Sequence, residues 1–552
     1  MKNILFIIPP HVTFKDYVSP SPLHKQVAKG DGRLYGNLVT DMPLGVLALS
    51  SYLKKHLEIK IGLIDFNIEL NRLNEFHHHS YQEYFSLFFD SMFSEVAQEP
   101  EVIGISSLFS PSYAAMLDIA AVCKTRFPNA LILAGGNIPS NMHRQIFLDS
   151  DDIDAICYGE GEKPLLALMQ SENPLLTIES SVSWITKNKS RSGFSPIHDF
   201  IENLDEIPFY DYALCEDKYF SNPAFPTYGG IQETDSSFHV LTSRGCPFKC
   251  IFCASHKVHG RKMRYYSLGR VKQDFLTLKN VYKANTLIFQ DDHFMGDQKR
   301  ALEIVKFVRE IGVKAIFQNS LTLYALNREM LEALKGAGIE QMVLSIESGS
   351  DRVLKRVMRK PHKLSIVEQV VRDCRELGIY TYANILIGLP GETKADIEES
   401  RRFLKTTYAN WFGILCANPL VGSEMFDICV EKGYLKSDWL GSDFKKVVVQ
   451  TEDWTSEYIQ EMSYTINLEL NFVENSDYRL GNYQIALNGF ERAIKAKADH
   501  ALAHYYAALC YGHLGNQEKS QTYMKLASQY AMEPFWAKYV EMFGISLPNF
   551  GD

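Results

Sequence analysis

Short apolar runs that end in a glycine or carboxylate turn and then give way to a helical segment recur through most of this chain. That alternation restricts it to α/β folds, with parallel sheets covered by helices on both faces. The first runs are Asn3 to Ile8, Lys60 to Asp65, Val102 to Ser106, Ala130 to Ala134 and Ala155 to Tyr158. In an open sheet of this kind ligands bind beyond the carboxyl ends of the strands. The turns Ser106-Ser107, Gly135-Gly136-Asn137 and Gly159-Glu160-Gly161-Glu162 are therefore expected to line one crevice. Pro43-Leu44-Gly45, opening a helix over Val46 to Lys55, lies beside it, and a long polar insertion spans Phe14 to Asn37. The alternation resumes from Phe238 to Leu420, with helices near Val271 to Lys279, Asp297 to Ile311, Arg328 to Gly336, Asp351 to Val357, Ile366 to Leu377 and Lys394 to Thr406. That makes about six strand-helix units, fewer than the eight of a closed barrel, and a partial barrel leaves its side open to a larger substrate.

A chain of 552 residues exceeds one hydrophobic core, so several domains are expected. A net charge of -9 speaks against a nucleic-acid partner, because phosphate-backbone binders present a basic face. The apolar start Ile4 to Ile8 stops at Pro9-Pro10, short of a signal peptide's apolar segment. No stretch approaches the roughly 20 apolar residues of a membrane span. The expectation is a cytoplasmic protein.

Three of the ten cysteines stand together in Thr242-Ser-Arg-Gly-Cys-Pro-Phe-Lys-Cys-Ile-Phe-Cys253. Iron-sulfur clusters usually take four Cys ligands. Cys246, Cys250 and Cys253 would leave a four-iron cluster one ligand short, since the next Cys is Cys374. The spacing alone also admits a structural zinc site or incidental thiols, although zinc prefers paired Cys or a Cys/His set and no second Cys pair accompanies His256 and His259.

On that CxxxCxxC loop, with the aromatic Phe252 before its third Cys, the chain resembles the radical S-adenosylmethionine (SAM) enzymes. The resemblance implies a [4Fe-4S] cluster whose open iron chelates SAM and whose electron cleaves SAM to a 5′-deoxyadenosyl radical. Three further runs match the family's pattern in order. Leu287-Ile-Phe-Gln-Asp-Asp-His-Phe294 places Asp291 and Asp292 where the family contacts the SAM amino group. Met342-Val-Leu-Ser-Ile-Glu-Ser-Gly-Ser350 places Glu347 at the ribose position. Ala383-Asn-Ile-Leu-Ile-Gly-Leu-Pro-Gly-Glu-Thr393 places Gly388, Leu389 and Pro390 beside adenine.

The region before the loop resembles the cobalamin-binding domain of one large radical SAM subfamily. Its crevice residues Pro43, Leu44, Gly45, Ser106, Ser107, Gly135, Gly136, Asn137, Gly159, Glu160, Gly161 and Glu162 are then the implied cobalamin contacts. The segment Ile207-Pro-Phe-Tyr-Asp-Tyr212 resembles that subfamily's crossing between domains. Asp291-Asp-His-Phe-Met-Gly296 also fits the cobalt-ligating DxHxxG pattern, but it lies in the SAM-contact strand rather than after the first strand of the N-terminal sheet, so His293 is not taken as a cobalt ligand.

Toward the C-terminus Gly481-Asn482 aligns with Gly515-Asn516, and Ala493 with Ala527, at the tetratricopeptide (TPR) period. Two such units are too few to stand alone, so they are expected to pack on the barrel or on a helix over Ser456 to Glu474. They act there either as a lid or as a groove for a peptide or carrier protein. The expected architecture is a Rossmann-like cobalamin-binding domain over 1-175, a linker over 176-235, a partial (β/α)6 TIM barrel over 236-445 and a TPR-like helical region over 446-552. The resemblance implies a cobalamin-dependent methyltransferase acting at an unactivated carbon or at phosphorus, on a small-molecule or peptide substrate. Its electrons would come from a donor such as flavodoxin or ferredoxin. The alternatives are a radical cyclase or ring-rearranging enzyme, a cobalamin-independent radical enzyme, and a TPR interaction protein with a structural cluster. No catalytic side chain is singled out.

Overall fold

The computed structural model describes residues 3–21, 26–93, 99–215, 219, 236–436, 439–441 and 446–548. Most of the expected linker's second half, at 216–218 and 220–235, lies outside the described residues, as do residues 22–25 of the N-terminal insertion. The chain divides into two compact units. One comprises Met1–Asn319, Pro419–Lys432 and Ser437–Asp443; the other comprises Ser320–Asn418, Gly433–Lys436 and Phe444–Asp552.

In the first unit β1 (Asn3–Ile8) is buried along its whole length, as a strand covered on both faces must be. A small antiparallel hairpin follows, β2 (Gln26–Ala28) with β3 (Leu34–Gly36). Then come β4 (Lys60–Asp65), β5 (Val102–Ser106), β6 (Leu131–Gly135), β7 (Ala155–Cys157) and β8 (Trp184–Ile185). The sheet order is β4-β1-β5-β6-β7-β8, parallel apart from the antiparallel last pair. The direction of winding reverses between β1 and β5, which is where such sheets bind ligands. β6 runs one residue later than the sequence implied, and β8 adds to this sheet a strand from the segment read as linker. The insertion read as polar is not a solvent loop: Tyr17 and Tyr35 are buried from it and join Phe66, Phe76, Phe85 and Phe89 in the unit's core.

The same unit holds β9 (Ser237–Val240), a short antiparallel pair of β10 (Ser243–Arg244) with β11 (Arg264–Tyr265), β12 (Thr286–Phe289) and β13 (Lys314–Phe317). Strands β9, β12 and β13 form a parallel sheet in the order β13-β12-β9. The crossing segment ties it to the larger sheet's helix Leu44–His56. Ser50 Oγ and Lys54 Nζ donate to Asp211 at 2.5 and 2.6 Å, and Tyr212 OH donates to the His239 carbonyl at 2.7 Å.

In the second unit β14 (Gln341–Glu347), β15 (Tyr380–Ile387) and β16 (Trp411–Cys416) form a parallel sheet. The six strands β9, β12, β13, β14, β15 and β16 match the number of strand-helix units read from the sequence. The unsatisfied edge of β16 is capped by a side chain. Asn471, fully buried in a π-helical turn (Glu469–Val473) that continues the helix Ser456–Leu468, donates to the Phe412 carbonyl and accepts from the Phe412 N–H, both at 2.8 Å. The C-terminal helices Tyr483–Ala496, Ala501–His513, Gln517–Tyr530 and Pro534–Met542 form two pairs whose first helices are offset by 34 residues. Gly481 and Gly515 hold the equivalent left-handed turns, at φ 78° and 81°. Helix Tyr483–Ala496 packs against β16 so closely that a Cβ on Gly489 would lie 2.7 Å from the Trp411 ring.

Candidate functional site

The loop between β10 and β11 carries the three clustered cysteines. Gly245 turns into it at φ 93°, where a side chain would collide with the Lys262 carbonyl, and the Cys246 N–H donates to the Gly260 carbonyl at 3.3 Å. Cys246, Cys250 and Cys253 are half-exposed, whereas the seven other cysteines, Cys374 among them, are buried. Phe252 is half-buried beside Cys253, and the loop's far side is pinned by the Met425 N–H donating to the Ile251 carbonyl at 2.8 Å. Among the described residues no three His, Cys, Asp or Glu side chains converge on a single ion. A [4Fe-4S] cubane asks for something else, one thiolate on each of three irons.

The two aspartates after β12 differ sharply. Asp291 is buried and engaged: it accepts from the Thr242 N–H at 3.1 Å, from Thr242 Oγ1 at 2.8 Å and from Ser243 Oγ at 2.6 Å. It thereby fixes the strand that leads into the cysteine loop. Asp292 has a buried Oδ2 with no hydrogen-bond partner, and burial pushes its carboxyl above the usual range. A carboxylate stripped of water and left unpaired is costly, so Asp292 is the member of the pair suited to receive a cationic group. His293, which falls in the DxHxxG-like run, is buried with its ring against Phe248 at 4.8 Å.

In the first unit's large sheet, the turns read as a crevice fall into two sets. Gly45 and Gly135 have open space where a Cβ would be, the nearest atom to Gly135 being 3.9 Å away. Ser106 ends β5, and Pro43 and Leu44 open the helix Leu44–His56. The others are held by protein. Gly136, at φ 100°, has the Ser107 carbonyl 2.5 Å from its Cβ position, and Ser107 Oγ pairs with Ser112 Oγ at 2.7 Å. Asn137 Nδ2 donates to the Val421 carbonyl at 3.3 Å. Gly159, at φ 77°, abuts the His198 ring, and Gly161 abuts Leu49.

Glu160 and Glu162, read from the sequence as crevice groups, have other partners. Glu160 takes both terminal nitrogens of Arg264 at 2.6 and 2.8 Å, His259 Nδ1 at 2.8 Å and Arg244 at 3.3 Å, while Glu162 pairs with Arg244 at 2.8 Å. Burial pushes the Glu160 carboxyl up, but Arg244, Arg264 and His259 outweigh it and hold it well below the usual range. Sequence reasoning missed Arg244 and Arg264, and weighed His259 only as a zinc ligand rather than as a partner of Glu160. Nothing local marks them, because only the pairing of β10 with β11 brings them to a turn about a hundred residues earlier in the chain.

In the second unit Glu347 ends β14 at φ 67°, next to a bulge in its pairing with β15. A non-glycine residue held there stores strain that concentrates at functional positions. Lys360 Nζ donates to Glu347 Oε1 at 2.8 Å. The turn Gly388-Leu389-Pro390 follows β15, with Gly388 at φ 86° and its Cβ position 2.9 Å from Ile459. Glu392 Oε2 accepts from the Gly388 N–H at 2.7 Å and the Leu389 N–H at 3.3 Å, while Oε1 is buried without a partner. Burial pushes this carboxyl up to about 8 in spite of those two donors.

Comparison with known proteins accords with this geometry. The B12 binding domain family matches residues 40–169 and the Radical SAM superfamily matches residues 240–404. Cytidylyl-2-hydroxyethylphosphonate methyltransferase of Streptomyces wedmorensis is 26% identical, over 67% of this chain and 75% of its own. An anaerobic magnesium-protoporphyrin IX monomethyl ester cyclase of Cereibacter sphaeroides is 24% identical, over 57% of this chain and 51% of its own. In fold the chain is similar to the cobalamin-dependent SAM radical enzyme OxsB (TM-score 0.62, 15% identity, 100% of this chain and 82% of that one). It is also similar to the radical SAM methyltransferase TsrM from Kitasatospora setae (TM-score 0.55, 13% identity, 96% and 100%). The two matched domains imply a [4Fe-4S] cluster, SAM and cobalamin. The chain thus carries a B12-binding domain and a radical SAM domain, and is homologous to cobalamin-dependent radical SAM methyltransferases.

Proposed function

We propose that this enzyme is a cobalamin-dependent radical SAM methyltransferase that moves a methyl group to an unactivated carbon or to phosphorus in a small molecule. The observation that carries the reading is the pairing, within one compact unit, of a half-exposed cysteine trio beside an orphaned carboxylate with a sheet whose turns leave Gly45 and Gly135 open. When bound, the cluster and cobalamin supply reductive cleavage of SAM and methyl carriage. The chain's own residues bind and orient. Cys246, Cys250 and Cys253 hold the cluster, and Phe252 shields it. Asp292 accepts from the SAM ammonium, while Asp291 acts behind it by fixing Thr242 and Ser243. Glu347 accepts from ribose hydroxyls, and the Gly388-Leu389-Pro390 turn, braced by Glu392, flanks adenine. Pro43, Leu44, Gly45, Ser106 and Gly135 meet the corrinoid, with Ser107, Gly136, Asn137, Gly159 and Gly161 forming the turns that carry them. An external one-electron donor of the flavodoxin or ferredoxin type supplies electrons.

The test is anaerobic reconstitution with iron, sulfide and hydroxocobalamin, followed by dithionite, SAM and a cytidylylated phosphonate as first candidate substrate. Methyl transfer yields 5′-deoxyadenosine and S-adenosylhomocysteine together. Deoxyadenosine alone assigns the protein to the cyclising or rearranging class, and neither product refutes the reading.

A further inference from the structure

The β10–β11 pair closes the neck of the cysteine loop, and its register sets Arg244 directly opposite Arg264. Like charges facing each other across a strand pair repel, and both side chains are almost wholly buried, at 3% and 2% exposure. Such a neck cannot close unaided. The compensating charge comes from the turn after β7: Glu160 bridges both arginines and reaches His259 inside the loop, and Glu162 adds a second contact to Arg244. The Phe200 ring lies 4.2 Å from the Arg264 guanidinium and closes that side.

This group stands close to the cysteines. Arg244 is two residues before Cys246, and His259 and Glu160 lie within electrostatic range of Asp292, which is itself within range of Cys246. With two carboxylates against two guanidinium groups it is balanced apart from His259. Because it is dry, removing any one charge leaves a net charge that solvent screens poorly.

We infer that Glu160 is a positioning residue of the cluster loop, which clamps its neck from the B12-binding sheet and, with Glu162, Arg244 and Arg264, sets the electrostatic potential at which the cluster accepts its electron. The inference rests on the assignment of the cluster to Cys246, Cys250 and Cys253. Reducing the cluster adds negative charge, so an uncompensated positive charge nearby favours the reduced state and an uncompensated negative charge opposes it.

The experiment is a redox titration of the reconstituted full-length protein, followed by the electron paramagnetic resonance signal of the reduced cluster. Glu160→Gln is expected to move the midpoint to more positive potential and Arg264→Gln to more negative potential, with the double variant returning close to the parent. Glu162→Gln removes a negative charge through Arg244 alone and gives the same sign as Glu160→Gln, which keeps the test in force if the latter does not accumulate. Unmoved midpoints, or a shift of the same sign for Arg264→Gln as for the glutamate variants, overturn the inference, the second outcome reporting only a loosened loop. A parent protein that takes up no cluster refutes the underlying cysteine assignment instead, and the inference falls with it.

Discussion

At Asp292 one oxygen is buried and unpartnered, while its neighbour Asp291 is saturated by Thr242 and Ser243. Two adjacent aspartates therefore have opposite expected phenotypes. Asp292→Asn should retain the cluster and weaken SAM binding by about tenfold or more, the loss of a charge-assisted contact of about 1.5 to 3 kcal/mol, as read by equilibrium dialysis. Asp291→Asn should instead lower soluble yield and cluster content together. Equal SAM affinity in Asp292→Asn and parent would place the ammonium elsewhere. A similar contrast divides the glycines. Gly135→Val fills open space and should abolish co-purification of cobalamin while the melting temperature holds. Gly136→Val should lower the melting temperature, because its side chain meets the Ser107 carbonyl and its backbone is left-handed. The sequence grouped these residues by turn, since a diglycine reads alike at both positions. Which glycine serves the ligand and which serves the neighbouring strand is decided by what stands opposite, and that depends on sheet order.

Among the elements, the turn after β15 shows how a carboxyl can brace backbone. Glu392 is fully buried, and its ordinary value of 4.5 is raised to about 8. The folded chain thus favours the protonated form. A group raised in this way contributes stability that is complete below the unfolded value and fades as pH rises through the folded one. The second unit should accordingly lose stability between about pH 4.5 and pH 8, and Glu392→Gln should flatten that decline, as followed by urea denaturation across the range. A slope identical in the variant would assign the dependence to another group. The elements themselves were largely legible. Arg328–Gly336 and Lys394–Thr406 fall where the periodicity put them, because each is an amphipathic helix with a side-chain cap, Asn327 and Thr393 respectively. The β10–β11 pair was not legible, since two residues per strand carry no period to read.

For the molecule as a whole, the C-terminal helices are part of the second unit's framework rather than an appendage. Asn471 supplies the missing partner of β16, and Asp477 accepts from Arg375 at 2.7 Å and from Asn410 at 2.9 Å. Ending the chain before Ser456 should therefore yield insoluble protein. A soluble truncated form with an intact melting transition would assign these helices to partner binding alone. The 34-residue repeat was visible in the sequence, as was its packing on the barrel or the preceding helix, but the anchoring contact was not, because Asn471 is one polar residue in a helical run and becomes conspicuous only once an open strand edge lies beside it.

Both units are discontinuous, and that bears on how the protein is made. The Met425 N–H that pins Ile251, together with Val421 beneath Asn137, is translated long after the loop and sheet it completes. During vectorial synthesis the cysteine loop leaves the ribosome without its far support and stays so until the 172 residues from Cys253 to Met425 have followed. Such non-local closure is slow. Iron and sulfide delivered to the nascent chain would meet a loop with one wall absent, so cluster assembly belongs after translation, on a chain that has already closed over its own middle.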